Sequence, residues 1–85
     1  DATCAGMLLQ YLRKLQPGAQ LGDLAYTLLH LYRTHRKGIL QPISQASHYQ
    51  RLVDMGLEAD IMYCLQENIY TAVPRWDKKQ NMIVL

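Results

Sequence analysis

Three histidines and two cysteines are the residues of this 85-residue chain that could bind a metal ion or act as nucleophiles. His30 and His35 are five residues apart, so a helix would place them on different faces, whereas a helical ligand pair needs a spacing of three or four. His48 belongs to another segment and has no acidic residue nearby in sequence. Cys64 has apolar neighbours, which is the setting of an inert thiol. The sequence therefore predicts no metal site, no cofactor and no catalytic residue, and we expect a protein that is not an enzyme.

Basic residues are concentrated in one stretch and in one loop. No acidic residue lies between Leu24 and Val53, where the segment RTHRK is found, and the segment PRWDKKQ near the end of the chain is also basic. Six residues are candidates for contact with phosphate, RNA or an acidic partner: Arg33, Arg36, Lys37, Arg75, Lys78 and Lys79. The alternative interpretation is that these cations stabilise the carbonyl end of a helix and keep a loop solvated.

Acidic residues are concentrated around Gly56, in the segment LVDMGLEADIMYCLQENI, which covers residues 52 to 69. Its two apolar runs on either side of a glycine are typical of a helix-turn-helix. Because the segment has no Lys or Arg, DNA phosphates would repel it, and the sequence excludes a DNA-reading helix here. We instead expect a surface that binds a protein partner, formed by acidic side chains and aromatic anchors: Glu58, Asp60, Glu67, Tyr63, Tyr70 and Trp76.

Apolar periodicity predicts two long helices in the first half of the chain. The first helix ends before Pro17 and has one apolar face, formed by Leu8, Tyr11, Leu12 and Leu15. The second helix covers residues 21 to 38 and is apolar over more than half of its surface. We therefore expect it to be the central helix, packed on both sides, with Leu24, Leu28 and Leu31 almost fully buried.

The sequence of the second half of the chain predicts two shorter helices and a terminal hairpin. The third helix covers residues 45 to 55 and ends at Gly56, and the fourth covers residues 57 to 68. The segments IYTAV and NMIVL are rich in β-branched and aromatic residues and predict two strands joined by a seven-residue loop. The alternative is an irregular tail packed on the helices. The fold class is thus mainly α, a small four-helix domain that is winged-helix-like or a helical adaptor fold.

Composition limits the class of protein further. With 49% hydrophobic and 19% charged residues, the sequence is typical of a globular chain, and its length suits one domain. A start at Asp1 without Met predicts a fragment of a longer protein. Cys4 and Cys64 are expected to be reduced, buried thiols, which favours an intracellular protein in either the cytoplasm or the nucleus. No apolar run is long enough to span a membrane.

Two functions remain open from the sequence. The segregation of acidic from basic residues favours a non-enzymatic protein–protein interaction module, whose partner would be another chain or a second copy of itself. The alternative is a winged-helix-like domain that contacts phosphate or RNA through the end of the second helix and the hairpin. The net charge of only +2 is low for that second role.

Overall fold

The computed structural model describes residues 1–85 as five helices followed by a two-stranded antiparallel hairpin. The elements are α1 (Ala2–Leu15), α2 (Asp23–His35), α3 (Leu40–Ile43), α4 (Ser47–Asp54), α5 (Glu58–Cys64), β1 (Arg75–Asp77) and β2 (Met82–Val84). This confirms the predicted fold, mainly α with a C-terminal hairpin. No helix has the length and apolar character needed to cross a membrane.

Helices α1 and α2 form the main packed unit of the chain. Leu29 is at its centre, with only 1% of its surface exposed. The prediction that Leu24, Leu28 and Leu31 are almost fully buried is wrong, because Leu24 is 72% exposed and the other two are half-buried. The apolar surface of α2 is wider than one neighbouring helix can cover, and α1 approaches it closely at Leu28 and Tyr32.

Gly56 forms the corner between α4 and α5, as predicted. Its φ of +77° is in the left-handed region, which favours glycine. The N–H of Leu57 donates to the carbonyl of Leu52, and the N–H of Gly56 donates to the carbonyl of Val53, both at 2.9 Å. These two bonds form a Schellman motif, which satisfies the last carbonyls of α4 and turns the chain into α5.

Several predicted boundaries needed correction. The predicted connector after α2 contains the short helix α3, and α5 ends at Cys64 instead of continuing to Asn68. Asn68 has a φ of +59°, a value that a continuing helix does not allow. Cys4 and Cys64 are free, as predicted, but both are exposed and not buried.

The hairpin also lies later in the chain than predicted. Residues 69 to 74 are irregular, and β1 begins at Arg75, within the segment that was predicted to be the loop. Trp76 pairs with Ile83 in the ladder. The carboxylate of Asp77 accepts the backbone N–H groups of Lys79, at 2.8 Å, and Gln80, at 3.2 Å. This side-chain turn shortens the loop to residues 78–81, and Asn81 completes it with a φ of +53°.

Candidate functional site

A close approach of α1 to α2 at Gly6 positions the candidate site. Gly6 is buried, and a Cβ atom added to it would meet the carbonyl oxygen of Leu28 and would lie 2.8 Å from the Cβ atom of Tyr32. A larger residue at this position would hold the two helices apart. The missing side chain of Gly6 therefore brings the second half of α1 against the C-terminal end of α2.

A cleft of about 260 Å³ lies where these two helix segments meet. Its walls contain three cations and no carboxylate, and its lining residues are Gln10, Tyr11, Lys14, Tyr32, Arg36 and Lys37. We call this feature the basic cleft. Guanidinium and ammonium groups without a carboxylate beside them favour anionic ligands, and phosphate and carboxylate are the groups that an arginine fork binds best.

Two contacts hold polar groups at the wall of the basic cleft. The Nε of Arg33 donates a hydrogen bond of 2.5 Å to the Oε1 of Gln10, which joins α2 to α1. The Nζ of Lys14 lies 5.7 Å from the centroid of the Tyr11 ring, within the range of a cation–π interaction. These contacts restrict the side chains of Gln10 and Lys14 at the wall of the basic cleft.

Tyr32 separates the basic cleft from a second, smaller cavity. This second cavity has a volume of about 150 Å³ and is lined by Thr3, Cys4, Met7, Tyr32, Ile39, Cys64, Leu65, Gln66, Glu67 and Asn68. Burial raises the pKa of Tyr32 above its usual value, and the carboxylate of Glu67, hydrogen-bonded to the phenol, raises this pKa further. The phenol of Tyr32 therefore stays protonated at neutral pH and donates its single proton to Glu67.

The predicted basic residues fall into two separate groups. Arg36 and Lys37 line the basic cleft, and Arg33 contacts it through Gln10. The other three cations are Arg75, Lys78 and Lys79. They line a shallow cavity at the hairpin together with Trp76, Asp77 and Val84. No residue lines both the basic cleft and the hairpin cavity. The six cations therefore do not form one continuous basic surface.

The predicted partner-binding residues are dispersed. Glu58 and Asp60 occupy the first turn of α5, where negative charge suits the helix dipole. Glu67 lies beyond the end of α5 and contacts Tyr32. The hydroxyl groups of Tyr63 and Tyr70 contact each other, while Trp76 lies on β1.

Four residues that line the basic cleft were not predicted as site residues from the sequence: Gln10, Tyr11, Lys14 and Tyr32. The spacing of Gln10, Tyr11 and Lys14 does place them close together on α1. That pattern alone does not reveal which other helix they meet. No group of three or more His, Cys, Asp or Glu side chains is placed to hold a metal ion.

The fold and the basic cleft define a small, mainly helical unit that presents a cationic site suited to an anion. Residues 1–79 match the family model described as 2-phosphosulpholactate phosphatase, and the chain belongs to this family. No solved structure matches the chain.

Curated relatives agree with this family. Over 79 residues, the chain is 39% identical to a probable 2-phosphosulfolactate phosphatase of Thermosynechococcus vestitus and 35% identical to one of Cyanothece sp.; each match covers 87% of this chain and 32% of the relative. A protein of Clostridium acetobutylicum with the same name is 30% identical over 78 residues, which cover 89% of this chain and 32% of the relative. The chain thus spans about one third of the length of these relatives.

Membership of a phosphatase family corrects the functional predictions made from the sequence. The prediction of a non-enzymatic protein–protein interaction module is wrong, and so are the adaptor and winged-helix interpretations. The prediction that the chain is not an enzyme depended on the absence of catalytic motifs, and the prediction of an interaction module depended on the segregation of acidic from basic residues. A chain that covers one third of its relatives can lack such motifs and still belong to their family, since catalytic groups come from distant parts of a sequence.

Proposed function

We propose that this chain is part of a 2-phosphosulfolactate phosphatase and that its basic cleft binds the anionic groups of the substrate. The observation that carries the proposal is the meeting of Lys14, Arg36 and Lys37 in one cleft without a carboxylate. The relatives' name describes a small molecule with a phosphate ester, a sulfonate and a carboxylate, all of which are negative near neutral pH. A cluster of cations is the complement of such a molecule.

The chemistry of phosphate ester hydrolysis assigns the cleft a clear role. Water attacks phosphorus, the ester oxygen leaves as an alcohol, and negative charge is spread over the phosphoryl oxygens during the reaction. Enzymes that transfer phosphoryl groups act mainly by positioning and by electrostatic stabilisation. Arg36, Lys37 and Lys14 supply the positive charge that this step needs.

The cleft itself lacks a group that would activate water. Its walls contain amide, phenol and cationic side chains but no carboxylate or imidazole. General bases in hydrolysis are usually His, Asp or Glu. We therefore assign substrate binding to this chain and the activation of water to the part of the phosphatase that the chain does not match.

Binding of 2-phosphosulfolactate to the ¹⁵N-labelled chain, followed by NMR, tests this proposal. We expect the largest shifts at the lining of the basic cleft and about tenfold weaker binding for Arg36→Gln or Lys14→Gln, the loss typical of one charged hydrogen bond. Inorganic phosphate should compete with the substrate. The matched control is Lys78→Gln, at the hairpin, which should bind as the unsubstituted chain does.

Two results would reject the proposed site. One is binding that is weakened by Lys78→Gln and not by Arg36→Gln, which would move the anion site to the hairpin. The other is no saturable binding by a chain whose NMR spectrum shows it to be folded.

The location of the protein is a further part of the proposal. We propose an intracellular phosphatase. Support comes from Cys4 and Cys64, which are free thiols on the surface of one cavity, because exposed thiols are most persistent in reducing compartments.

A further inference from the structure

One side of α1 is an exposed apolar surface, which we call the α1 stripe: Leu8, Tyr11, Leu12 and Leu15. Leu15 is 82% exposed and Leu8 is 60% exposed. Gly6, which contacts α2, is roughly 160° around the helix from Leu8. Helix α1 is therefore packed against α2 on one side. Tyr11, at one border of the α1 stripe, also lines the basic cleft, whereas Leu8 and Leu15 are exposed to solvent.

The chain as a whole exposes more surface than a compact protein of its size. Its accessible surface is 7248 Å², whereas a compact monomer of 9.8 kDa exposes about 5,200 Å². Its radius of gyration is 15.6 Å, against about 12 Å for a compact chain of this length. The excess area of about 2,000 Å² is far above the roughly 800 Å² that each partner buries in a standard interface.

The exposed apolar side chains also occur on other elements. Leu24 on α2, Ile83 on β2 and Leu85 at the end of the chain are 72%, 66% and 84% exposed. A partner that covers side chains on elements this far apart in sequence must be large. One symmetric contact of standard size would leave more than half of the excess area in water.

We propose that the α1 stripe is the surface on which the rest of the phosphatase chain packs. The occupant is the portion that the curated relatives contain and that this sequence does not match, about two thirds of their length. A segment of that size can bury about 2,000 Å² of this chain, which corresponds to roughly 4,000 Å² over both partners and lies within the range of obligate interfaces. The inference depends on the membership of the family and on the α1 stripe, and it does not depend on the basic cleft.

The test uses two polypeptides produced in one cell. The first is the tagged 85-residue chain, and the second is the unmatched portion of the Thermosynechococcus vestitus relative. We expect them to purify together in a one-to-one ratio, measured by light scattering after size exclusion. Hydrogen exchange of α1 should be slower in this complex than in the chain alone.

A substitution in the α1 stripe makes the test specific. Leu15→Glu should reduce the amount of complex at least tenfold, because it places a charge in an apolar interface. Gln20→Glu is the matched control, since it adds the same charge at an exposed position outside the α1 stripe and should leave the complex unchanged. Circular dichroism of both variants shows that each retains its helices.

Three outcomes would overturn the proposal. The first is a stable homodimer of the 85-residue chain that Leu15→Glu dissociates, which would make a second copy the occupant. The second is a compact monomer with a radius of gyration near 12 Å by X-ray scattering, since that chain would cover the α1 stripe itself. The third is the absence of a complex, or a complex that forms equally well with Leu15→Glu.

Discussion

Gly6 of α1 lies so close to α2 that a Cβ atom on it would be 2.8 Å from the Cβ atom of Tyr32. Such atoms normally remain at least 3.4 Å apart, so no other residue fits without a movement of the helices. Tyr32 is also a wall of the basic cleft. The contact at Gly6 thus determines both the packing of the two longest helices and the shape of the candidate site.

Gly6→Ala is expected to destabilise the chain by about 1–3 kcal/mol, the usual range for an overpacked core position. The sign of this change in stability is informative. Alanine favours a helix over glycine by about 1 kcal/mol, so helix propensity alone would predict a more stable protein. Urea denaturation measures the difference. Gly18→Ala is the control, since a Cβ atom there has no neighbour within 4 Å. A stabilised Gly6→Ala protein would contradict the close contact.

Leu29→Ala is expected to cost about 2–5 kcal/mol, because Leu29 is the one large side chain that is almost completely buried. A small domain has roughly 3–5 kcal/mol of stability, so this substitution should unfold much of the population. The exposed Leu24→Ala is the matched control and should change stability by less than about 0.5 kcal/mol in the isolated chain. Thermal unfolding followed by circular dichroism compares them. Equal losses would show that the core is not at Leu29.

Glu67→Gln is expected to lower the pKa of Tyr32. Burial is the main cause of the raised pKa and would remain, whereas the repulsion between the Glu67 carboxylate and a phenolate would disappear. Because the pKa is raised in the folded chain, the contribution of Tyr32 to stability is complete below about pH 10 and is lost as the pH rises through the raised value. The ¹³Cζ signal of Tyr32 in an NMR titration measures this change. Glu58→Gln, on α5, should leave it unaltered.

Asp77 is expected to make the hairpin turn sensitive to acid. Its pKa is lowered, first because the carboxylate accepts the backbone N–H of Gln80 and next because it accepts that of Lys79. The stability that this pairing contributes is present above about pH 4 and is lost as the pH falls through the lowered pKa. The amide signals of Lys79 and Gln80 should shift together over this range. In Asp77→Asn, which keeps an acceptor but does not titrate, a remaining acid transition of these two amides would rule out the carboxylate as its cause.

Local features of the sequence were sufficient to predict four of the five helices, but not the short helix α3 or the end of α5. Spacing of 3.6 residues identified α1 and α2, and Gly56 identified the corner between α4 and α5, because these signals depend on interactions a few residues apart. The presence of a C-terminal hairpin was predicted correctly, but its first strand was predicted too early in the chain. Its position depends on the side-chain turn at Asp77, whereas the prediction followed the β-branched residues of IYTAV.

The basic cleft could be predicted only in part. Arg36 and Lys37 were identified from their local charge, but the sequence joined them to Lys78 and Lys79, which lie at the hairpin. Their true neighbour Lys14 is more than twenty residues away in the chain. Lys14 comes close to Arg36 and Lys37 only because of the way α1 packs against α2. A local sequence pattern does not predict that packing.

The sequence by itself determined that α1, α2, α4 and α5 are helices and which face of α1 is apolar, because both follow from short-range periodicity and from the residues that end helices. Only the tertiary structure decided that α1 contacts α2 through Gly6 and leaves its apolar face exposed. The physical reason is that a glycine allows the backbones to approach closely, and this close contact takes the opposite side of α1 from Leu8 and Leu15. Because α1 packs on α2 through the face that contains Gly6, Lys14 lies near Arg36, and the two residues line the basic cleft.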